Sequence, residues 1–318
     1  MIHAQVIIVG GGPAGAACAG QLKTHGIETI ILDKSKFPRN KPCAGWLTPR
    51  VFRLLNIKPS EYPHNLRKFH WLHFRINGKP LPVLTRQYAI RRYEFDHWLI
   101  KKSAATVYHH KVQSIRQQND QYIIDDRFSC DTLIGAGGSN CPVYHAFFKT
   151  IVPRRAANHI ATLETEFQIQ HHERRCLLWF FEHNLPGYAW YVPKQDTYLN
   201  IGLGGKMSMQ AGPVSLRSHW QRLIRKLVHK GFIAPETAPQ PQGYHYYLRD
   251  QHKPWTKDRL YIIGDAAGLA TKDLGEGIAP AIASGQMAAH AIAGRTVFNL
   301  DQISKYSWPQ ILWPSFKP

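Results

Sequence analysis

The chain is short of acidic residues and contains no long unbroken apolar run. It has 21 acidic residues against 40 Lys and Arg in 318 residues, a formal net charge of +19. A positive surface of this kind can attract nucleic acid, an anionic membrane or phosphate-bearing ligands. No nucleic-acid-binding module is recognisable, so we expect no nucleic-acid partner. The charge is spread along the chain, and much of it is expected only to solvate the surface.

Cysteine is also scarce. The five cysteines, Cys18, Cys43, Cys130, Cys141 and Cys176, are far apart and form no C-x-x-C pair. This pattern argues against a disulfide scaffold or a structural zinc site and indicates a reducing compartment, so we expect a cytoplasmic protein. No H-E-x-x-H or G-x-S-x-G motif is present, and neither a metal site nor a serine nucleophile is predicted.

Two apolar stretches could be mistaken for membrane elements. Residues 277–293 are interrupted by Ser284, Gln286 and His290, which excludes a spanning helix. No secretory signal is expected before the first strand. Residues 215–229 have an amphipathic helical pattern that predicts packing on a sheet. The alternative is that this helix lies on a membrane surface.

The first 33 residues have a specific order of elements. An apolar run at residues 4–9 leads into Gly10-Gly11-Gly12-Pro13-Ala14-Gly15, and a helical pattern and a second apolar run end at Asp33. Gly10, Gly12 and Gly15 fit G-x-G-x-x-G, and Asp33 follows at about the expected spacing of ~20 residues. Strand, glycine turn, helix, strand and acid together predict a dinucleotide site. The alternative is a glycine-rich turn without a ligand.

Each residue of this motif has a physical role. Gly10 allows the sharp turn, Gly12 allows a pyrophosphate to approach the backbone, and Gly15 allows close helix packing. The helix N-terminus offers free N–H groups to phosphates. Asp33 can accept both hydroxyls of an adenosine ribose and would repel a 2′-phosphate, although the neighbouring Lys34 reduces that repulsion.

The order of elements predicts an α/β fold with a discontinuous nucleotide domain. Nucleotide-type elements occupy both ends of the chain, and antiparallel-type strands fill the middle. We expect the cofactor domain at residues 1–66, 85–155 and 250–318. An inserted antiparallel-sheet domain for the substrate is expected at residues 67–84 and 156–249.

Four further motifs follow in order along the chain. They are Pro38-Arg-Asn-Lys41-Pro-Cys43-Ala44-Gly45, Arg92-Tyr-Glu-Phe95-Asp96, Tyr188-Ala-Trp190-Tyr-Val-Pro193 with Gly202 and Gly204, and Gly264-Asp265 with Gly275-Glu276-Gly277-Ile278. With the N-terminal motif they resemble the geranylgeranyl reductase family of FAD-dependent oxidoreductases. The resemblance implies a Rossmann-like FAD-binding domain of the glutathione reductase/p-hydroxybenzoate hydroxylase type. Ala44 stands where the family has glycine.

The resemblance implies FAD as cofactor and a set of residues that bind it. These are Gly10, Gly12, Pro13, Ala14, Gly15, Asp33, Lys34, Lys41, Cys43, Ala44, Arg92, Gly264, Asp265, Gly275, Gly277 and Ile278. Asp265 is expected at the ribityl or pyrophosphate region, and Arg92, or its neighbour Arg91, at the pyrophosphate. Gly135-Ala136-Gly137-Gly138 lacks the acid of the related hydroxylases, which argues against a standard NADPH-using hydroxylase.

The resemblance also assigns catalytic and substrate residues. Cys43 is expected near the flavin ring, where the cation of Lys41 could make its thiol reactive; the alternative is a small residue that fills the loop. The apolar substrate slot is assigned to Tyr188, Trp190, Pro193, Gly202 and Gly204. For the aromatic residues among them, the alternative is that they face an ordinary core.

The implied activity is reduction of carbon–carbon double bonds in an isoprenoid or similar apolar substrate. The electron donor is NAD(P)H or a ferredoxin-like protein, and peripheral membrane contact is expected to suit a phosphate-headed or membrane-embedded substrate. One alternative is a flavin monooxygenase or halogenase, for which Lys79 is a weak candidate lysine. A second alternative is a flavoprotein that binds FAD and an apolar ligand without turnover.

Overall fold

The computed structural model describes residues 1–170, 173–195, 197–209, 215–237, 239–250 and 254–313. The chain divides into two compact units. Unit 1 comprises Met1–Arg39, Tyr93–Arg154 and Tyr246–Ser307, and unit 2 comprises Asn40–Arg92, Arg155–His245 and Trp308–Pro318.

The strands are β1 (Ile2–Val9), β2 (Thr29–Asp33), β3 (Trp46–Leu47), β4 (Arg67–Ile76), β5 (Lys79–Ala89), β6 (Thr106–His109), β7 (Ile115–Gln118), β8 (Gln121–Ile124), β9 (Phe128–Gly135), β10 (His159–Gln168), β11 (Cys176–Phe180), β12 (Gly187–Pro193), β13 (Tyr198–Lys206), β14 (Gln242–Tyr247), β15 (Thr256–Lys257) and β16 (Leu260–Ile262). The α-helices are α1 (Pro13–Thr24), α2 (Pro49–Leu54), α3 (Arg92–Ser103), α4 (Leu216–His229), α5 (Ile278–Ile292) and α6 (Trp308–Leu312).

The sheet of unit 1 is mostly parallel, with β1 near its centre. Its strand order is β15-β16-β9-β1-β2-β6, and the β7–β8 hairpin pairs with the beginning of β9. Strands β1, β2, β6, β9 and β16 run in the same direction. The apolar run of β1 is buried on both faces, as expected for a central parallel strand. Unit 1 therefore has the Rossmann-like organisation predicted from the sequence.

Small residues bring α1 and α5 close together. A Cβ atom on Gly285 of α5 would clash with the carbonyl oxygen of Ala14 in α1. A Cβ on Gly264 would approach the methyl group of Ala14 to 2.9 Å. The short side chains of both helices thus allow their backbones to pack against each other behind the glycine turn.

The second sheet is mainly antiparallel and lies in unit 2. Its order is β14-β10-β13-β12-β11-β4-β5-β3. The described pairings from β10 to β3 are antiparallel apart from β11–β4, which is parallel. Helix α4 packs on one face through Trp220, Leu223 and Leu227. The prediction that the apolar stripe of α4 covers a sheet is therefore confirmed.

The boundaries of the two units differ from the expected domains. Residues 40–66, 85–92, 155 and 308–318, expected in the cofactor domain, belong to unit 2, and residues 246–249, expected in the substrate domain, belong to unit 1. The reason is non-local pairing, because Trp46 and Leu47 pair with Ala89 and Tyr88 at the end of β5. In addition, Thr85 donates a hydrogen bond to the carbonyl oxygen of Ile311 at 2.6 Å.

Four cysteines lie in the cores of the units. Cys18, Cys130, Cys141 and Cys176 are buried, and burial raises the pKa of each thiol. These four thiols therefore serve as small apolar side chains in the interior. In the described part of the chain, none of the helices combines the length and apolar character needed to cross a membrane.

Candidate functional site

Four loops meet at one edge of the parallel sheet in unit 1. Gly10 follows β1, Asp33 ends β2, Ala136 follows β9, and Gly264 lies just after β16. Because these strands are parallel and in register, their carboxyl ends lie side by side. This edge is where open α/β sheets bind ligands. The topology therefore brings together motifs that are separated by more than two hundred residues in the sequence.

Asp33 is fixed beside the glycine turn. Its Oδ2 accepts a hydrogen bond from the backbone N–H of Gly11 at 2.7 Å, and its Oδ1 accepts one from the N–H of Ser35 at 2.8 Å. The side chain is 7% exposed. The two backbone donors orient the carboxylate and leave lone pairs that can accept ribose hydroxyls.

The glycine turn contains one glycine that the protein itself does not require. A Cβ atom on Gly15 would clash with the carbonyl oxygen of Gly10, so that glycine is needed for folding. Gly12 has φ −70° and ψ −175°, and its Cβ would meet only the Nη2 atom of Arg39 at 3.6 Å. An open space above an unstrained glycine is what a phosphate approaching the backbone would need.

Arg39 is a site residue that the sequence reasoning missed. Its guanidinium lies next to the open face of Gly12 and forms an ion pair at 3.2 Å with Asp96, whose side chain is fully buried. It also stacks on the ring of Phe37, 4.9 Å from the centroid. The signal was present in the sequence, since Arg39 belongs to the Pro38–Gly45 motif and Asp96 to the Arg92–Asp96 motif. A fixed arginine at the uncapped N-terminus of α1 adds a donor for phosphate oxygens.

The Asp265 turn leads toward the start of α5. Gly264 donates its N–H to Ser284 Oγ at 2.9 Å, and a Cβ on Gly277 would lie 3.3 Å from Asp265 Oδ1. Gly275 has φ +65°, and a side chain there would clash with the hydroxyl of Tyr246. Ile278, the first residue of α5, is buried. Gly264, Asp265, Gly275, Gly277 and Ile278 are thus close together, as the motif requires.

Arg154 stabilises the Asp265 turn, and it is a second residue that the sequence reasoning missed. It donates hydrogen bonds to the carbonyl oxygens of Ser139 and Ala266, the second at 2.8 Å. Its guanidinium lies 3.7 Å from the ring centroid of Tyr144 and 4.8 Å from that of Tyr247. Burial lowers its pKa, and Asp265 is among the groups that oppose this shift. Arg154 connects the loop after β9 to the loop after β16.

In unit 2 a buried ammonium group holds the loop that contains Cys43. Lys194, directly after β12, is 2% exposed. Its Nζ donates hydrogen bonds to the carbonyl oxygens of Ala44 and Ile90, the second at 2.6 Å. Burial lowers the pKa of Lys194, while Glu166, Cys43 and Glu164 oppose the shift. Nothing in its local sequence distinguishes Lys194 from a surface lysine after a strand.

The same loop is connected to the aromatic substrate motif. The indole N–H of Trp190 donates to Asn200 Oδ1 at 2.7 Å, and Asn200 Nδ2 donates to the carbonyl oxygen of Cys43 at 3.3 Å. The half-buried Cys43 also accepts a hydrogen bond at Sγ from the N–H of Gly45, at 3.4 Å. Cys43, Ala44 and Trp190 therefore lie close together in unit 2.

Gly202 makes room for the indole ring. It pairs with Trp190 on one side and with Glu164 on the other. A Cβ on Gly202 would clash with the indole and would come within 2.7 Å of the Cβ of Glu164. Gly204 holds the equivalent position between Tyr188 and Thr162. Trp190, Gly202 and Glu164 thus form a row across three strands, on the face opposite α4.

Aromatic rings continue this row in the other direction. Tyr188 stacks on Phe180 with centroids 4.8 Å apart, and Trp190 lies 5.8 Å from Tyr188. Phe180 then contacts Phe74 at 5.8 Å, and Phe74 contacts Trp308 at 5.3 Å. We call these five residues the aromatic row. Strand alternation places Pro193 on the opposite face from Tyr188 and Trp190, so Pro193 is not part of the row.

Charged side chains collect at the Trp190 end of the row. Arg91 donates from Nε to Glu166 at 2.9 Å and stacks on Tyr198, 3.5 Å from its centroid. Lys194 Nζ is 3.8 Å from the other Glu166 oxygen. Burial raises the pKa of Glu164 to about 7, although the charges of Lys194, Lys41 and Arg92 oppose this shift.

Several predicted cofactor residues lie in unit 2 or at its boundary. Lys41 places its Nζ 3.0 Å from the ring centroid of Tyr244, and Arg92 is buried at the start of α3. With Cys43 and Ala44, these residues belong to unit 2. Lys34, in unit 1, is exposed. Contact of these five residues with FAD stays a prediction, as does contact of the predicted cofactor residues of unit 1.

Comparison with known proteins identifies the family. A family model described as an FAD binding domain matches residues 3–58. The chain is 31% identical over 310 residues to an uncharacterised protein of Methanosarcina barkeri, covering 91% of this chain and 74% of the relative. It is 25% identical to the chloroplastic geranylgeranyl diphosphate reductase of Nicotiana tabacum, covering 98% and 72%.

Solved structures share the fold. A geranylgeranyl bacteriochlorophyll reductase-like protein from Thermoplasma acidophilum superposes with a TM-score of 0.81 at 20% identity, covering 92% of this chain and 79% of its own. The flavin-dependent halogenase CmlS has a TM-score of 0.73 at 21% identity, covering 92% and 58%.

The chain belongs to the geranylgeranyl reductase family. It is an FAD-dependent oxidoreductase with the p-hydroxybenzoate hydroxylase-type fold. The residues of unit 1 fit FAD: Gly12 is open to a phosphate, the α1 N-terminus has no side-chain cap, and Asp33 is oriented for a ribose. Membership in this oxidoreductase family argues against a flavoprotein without turnover.

The open face of Gly12 gives the first prediction. In Gly12→Ala, the new methyl group occupies the space above the turn without a clash, so the free energy of unfolding of the FAD-free protein should change by less than about 1 kcal/mol. The affinity for FAD should fall about tenfold or more, because the methyl group blocks the approach of the pyrophosphate. Urea unfolding and FAD titration measure the two effects.

The matched control is Gly20→Ala in the same helix. A Cβ on Gly20 would make an ordinary 3.4 Å contact with Ser103 Cα, so both stability and FAD affinity should be retained. Undiminished FAD affinity in Gly12→Ala would show that no phosphate approaches this glycine.

The buried ammonium group gives the second prediction. Lys194→Met leaves the carbonyl oxygens of Ala44 and Ile90 without their donor, which should lower the free energy of unfolding by about 2–4 kcal/mol. Urea unfolding at neutral pH measures this loss. The exposed Lys79→Met is the control and should behave as wild type. If both variants are equally stable, Lys194 does not hold the loop.

Proposed function

We propose that this protein reduces carbon–carbon double bonds of an isoprenoid or similar apolar substrate, using FAD. The proposal extends the family assignment to a substrate class. The N. tabacum relative is named for geranylgeranyl diphosphate, and a relative from Methanosphaera stadtmanae is named a digeranylgeranylglycerophospholipid reductase. Both names refer to geranylgeranyl chains.

The observation that carries the proposal is the aromatic row on the face of the unit 2 sheet opposite α4. Helix α4 covers the other face, where Tyr191, Ile201 and Leu203 form a closed core. The aromatic row instead combines buried rings with half-buried ones such as Tyr188 and Phe180. Linear rows of aromatic side chains suit a long, flat, unsaturated hydrocarbon, because such a ligand is held mainly by apolar contact.

The chain's residues supply binding, orientation and exclusion of water. Reduced flavin, when bound, supplies the hydride for the reduction. Asn200 fixes the indole of Trp190 and the carbonyl of Cys43, and Lys194 fixes the neighbouring Ala44. The catalytic role of Cys43, in assisting the reduction from this loop, is part of the proposal. The electron donor is either NAD(P)H or a ferredoxin-like protein.

A direct test follows the reduced flavin without oxygen. We expect the FAD-loaded protein, reduced with dithionite, to reoxidise when geranylgeranyl diphosphate or a prenyl lipid is added. The prenyl product should gain mass in steps of two hydrogens. A saturated chain of the same length is the control and should leave the flavin reduced. Reoxidation by oxygen alone, with no prenyl product, would instead support the monooxygenase or halogenase alternative.

Contact with a membrane is also part of the proposal, because such substrates are themselves membrane lipids or bind to membranes. The β4–β5 hairpin supports it. Trp71 and Leu84 form a cross-strand pair on one face and are 47% and 64% exposed. Pro82 lies on the same face and is exposed, as are the cations Arg75 and Arg86. Exposed tryptophan and leucine beside arginine suit an anionic lipid surface.

Vesicle binding tests this contact. The double variant Trp71→Ser/Leu84→Ser should bind anionic phosphatidylglycerol vesicles about tenfold more weakly than wild type, since it removes apolar area from the interface. Val297→Ser removes a residue that is 89% exposed in unit 1 and should bind as wild type. Equal binding of all three proteins would contradict a membrane role for the hairpin.

A further inference from the structure

Reduction of a double bond needs a proton as well as a hydride. The hydride adds to one carbon, and a proton must reach the other carbon or its cationic precursor. An apolar slot excludes water, so a side chain that holds a proton at neutral pH has to supply it. The proton-holding groups to compare are those at the Trp190 end of the aromatic row.

Two of these groups already use their charge or their protons in ion pairs or hydrogen bonds within the protein. Glu166 is ion-paired with Arg91 at 2.9 Å and with Lys194 at 3.8 Å. Lys194 directs its hydrogens to the carbonyl oxygens of Ala44 and Ile90. Neither is arranged to release a proton to a ligand on the sheet face.

Glu164 is arranged differently. It lies across Gly202 from the indole of Trp190, on the same face of the sheet, and is 3% exposed. The largest influence on its carboxyl group is burial. A buried carboxyl group is expected to keep its proton.

The surroundings of Glu164 also stabilise the anion that remains after proton transfer. Positive charges face it from three elements, namely Lys194 after β12, Lys41 in the loop before β3, and Arg92 at the start of α3. Glu166 on its own strand opposes them. Burial dominates and raises the pKa of Glu164 to about 7. A pKa near the working pH is what efficient general acids have.

We propose that Glu164 donates the proton that completes reduction of the double bond. The proposal rests on the proposed function. The C=C π bond is lost, one carbon forms a C–H bond with the hydride from reduced flavin, and the other forms a C–H bond with the carboxyl proton of Glu164. The flavin is oxidised by two electrons, and the Glu164 carboxylate regains its proton from solvent after the product leaves.

Three variants separate the proton donor from a structural role. Glu164→Gln keeps the shape but has no acidic proton, Glu164→Asp keeps the acid, and Cys43→Ser tests the thiol. Glu182→Gln is the control, because Glu182 pairs with Lys226 of α4, which packs on the opposite face. All are loaded with FAD, reduced without oxygen and mixed with geranylgeranyl diphosphate between about pH 5.5 and 9.

We expect Glu164→Gln to slow prenyl-dependent reoxidation about 100-fold or more, with partial rescue in Glu164→Asp. The wild-type rate should fall as pH rises above about 7, because Glu164 ionises there, and Glu164→Gln should lose this dependence. Glu182→Gln should match wild type. The flavin spectrum and FAD affinity should be unchanged in both Glu164 variants and in Glu182→Gln.

A second readout needs no turnover. Ionising a buried carboxyl penalises the folded state above the unfolded-state pKa, and the penalty grows until the folded-state pKa near 7 is reached. Glu164→Gln should therefore gain stability relative to wild type at pH 8 but not at pH 4, as measured by urea unfolding. Equal differences at both pH values would show that Glu164 is not held protonated, which would overturn the proposal.

The remaining outcomes distinguish a failure of the proposed function from a failure of the Glu164 donor role alone. If wild-type reduced flavin does not react with the prenyl compound, the proposed function fails and the donor role fails with it. If wild type reacts and Glu164→Gln reacts at the same rate with the same pH profile, only the donor role is overturned. If Cys43→Ser loses activity and the Glu164 variants do not, the proton comes from the thiol of Cys43 instead.

Discussion

A charged group that is removed from water has to be compensated within the protein, and in unit 2 this applies above all to the ammonium group of Lys194. Its acceptors are the carbonyl oxygens of Ala44 and Ile90, which belong to two different segments of the chain. Satisfying Lys194 therefore brings the loop around Cys43 against the start of α3. The cost of leaving such a group unpaired amounts to several kcal/mol, so the loop cannot move away without a large loss of stability.

A different constraint shapes unit 1. There the close packing of the helices depends on glycine residues, which have no side chain. Gly15 allows α1 to approach the turn after β1, and Gly285 allows α5 to approach α1. These contacts need close backbone approach, which only glycine permits, and they orient the α1 N-terminus toward the edge where the parallel strands end. Gly12 is the exception, because among the described residues a Cβ atom there would meet the Nη2 atom of Arg39 at an ordinary 3.6 Å and would clash with no backbone atom. The contrast separates Gly15, which close packing requires, from Gly12, which packing does not require and for which a ligand role is predicted.

The sequence predicted those parts of the site whose geometry is local. The G-x-G-x-x-G turn, Asp33 and the amphipathic stripe of α4 are read from spacing, because one strand, one turn or one helix determines them. Lys194 could not be found this way, since its partners are 150 and 104 residues distant in the sequence. Glu164 was missed for a related reason. Thr162, Glu164 and Glu166 occupy alternate positions of β10, and Ala161, Leu163 and Phe167 lie on its other face, a pattern typical of a strand with one face in solvent.

The face of the unit 2 sheet opposite α4 changes from aromatic at one end to charged at the other, because different strands supply its side chains. Strands β4, β11 and β12 supply Phe74, Phe180, Tyr188 and Trp190, whereas β13 and β10 supply Gly202, Asn200, Glu164 and Glu166. Under the proposed function, an elongated apolar ligand on this face would be held by dispersion and water exclusion at one end. At the other end it would meet a compact group of ionisable side chains. Charge interactions are strongest where water is excluded, so the aromatic end would strengthen the proposed chemistry of the acidic end by excluding water. Replacing the rings with small polar residues would therefore weaken ligand binding and also change the protonation of Glu164, which couples the two halves of the face.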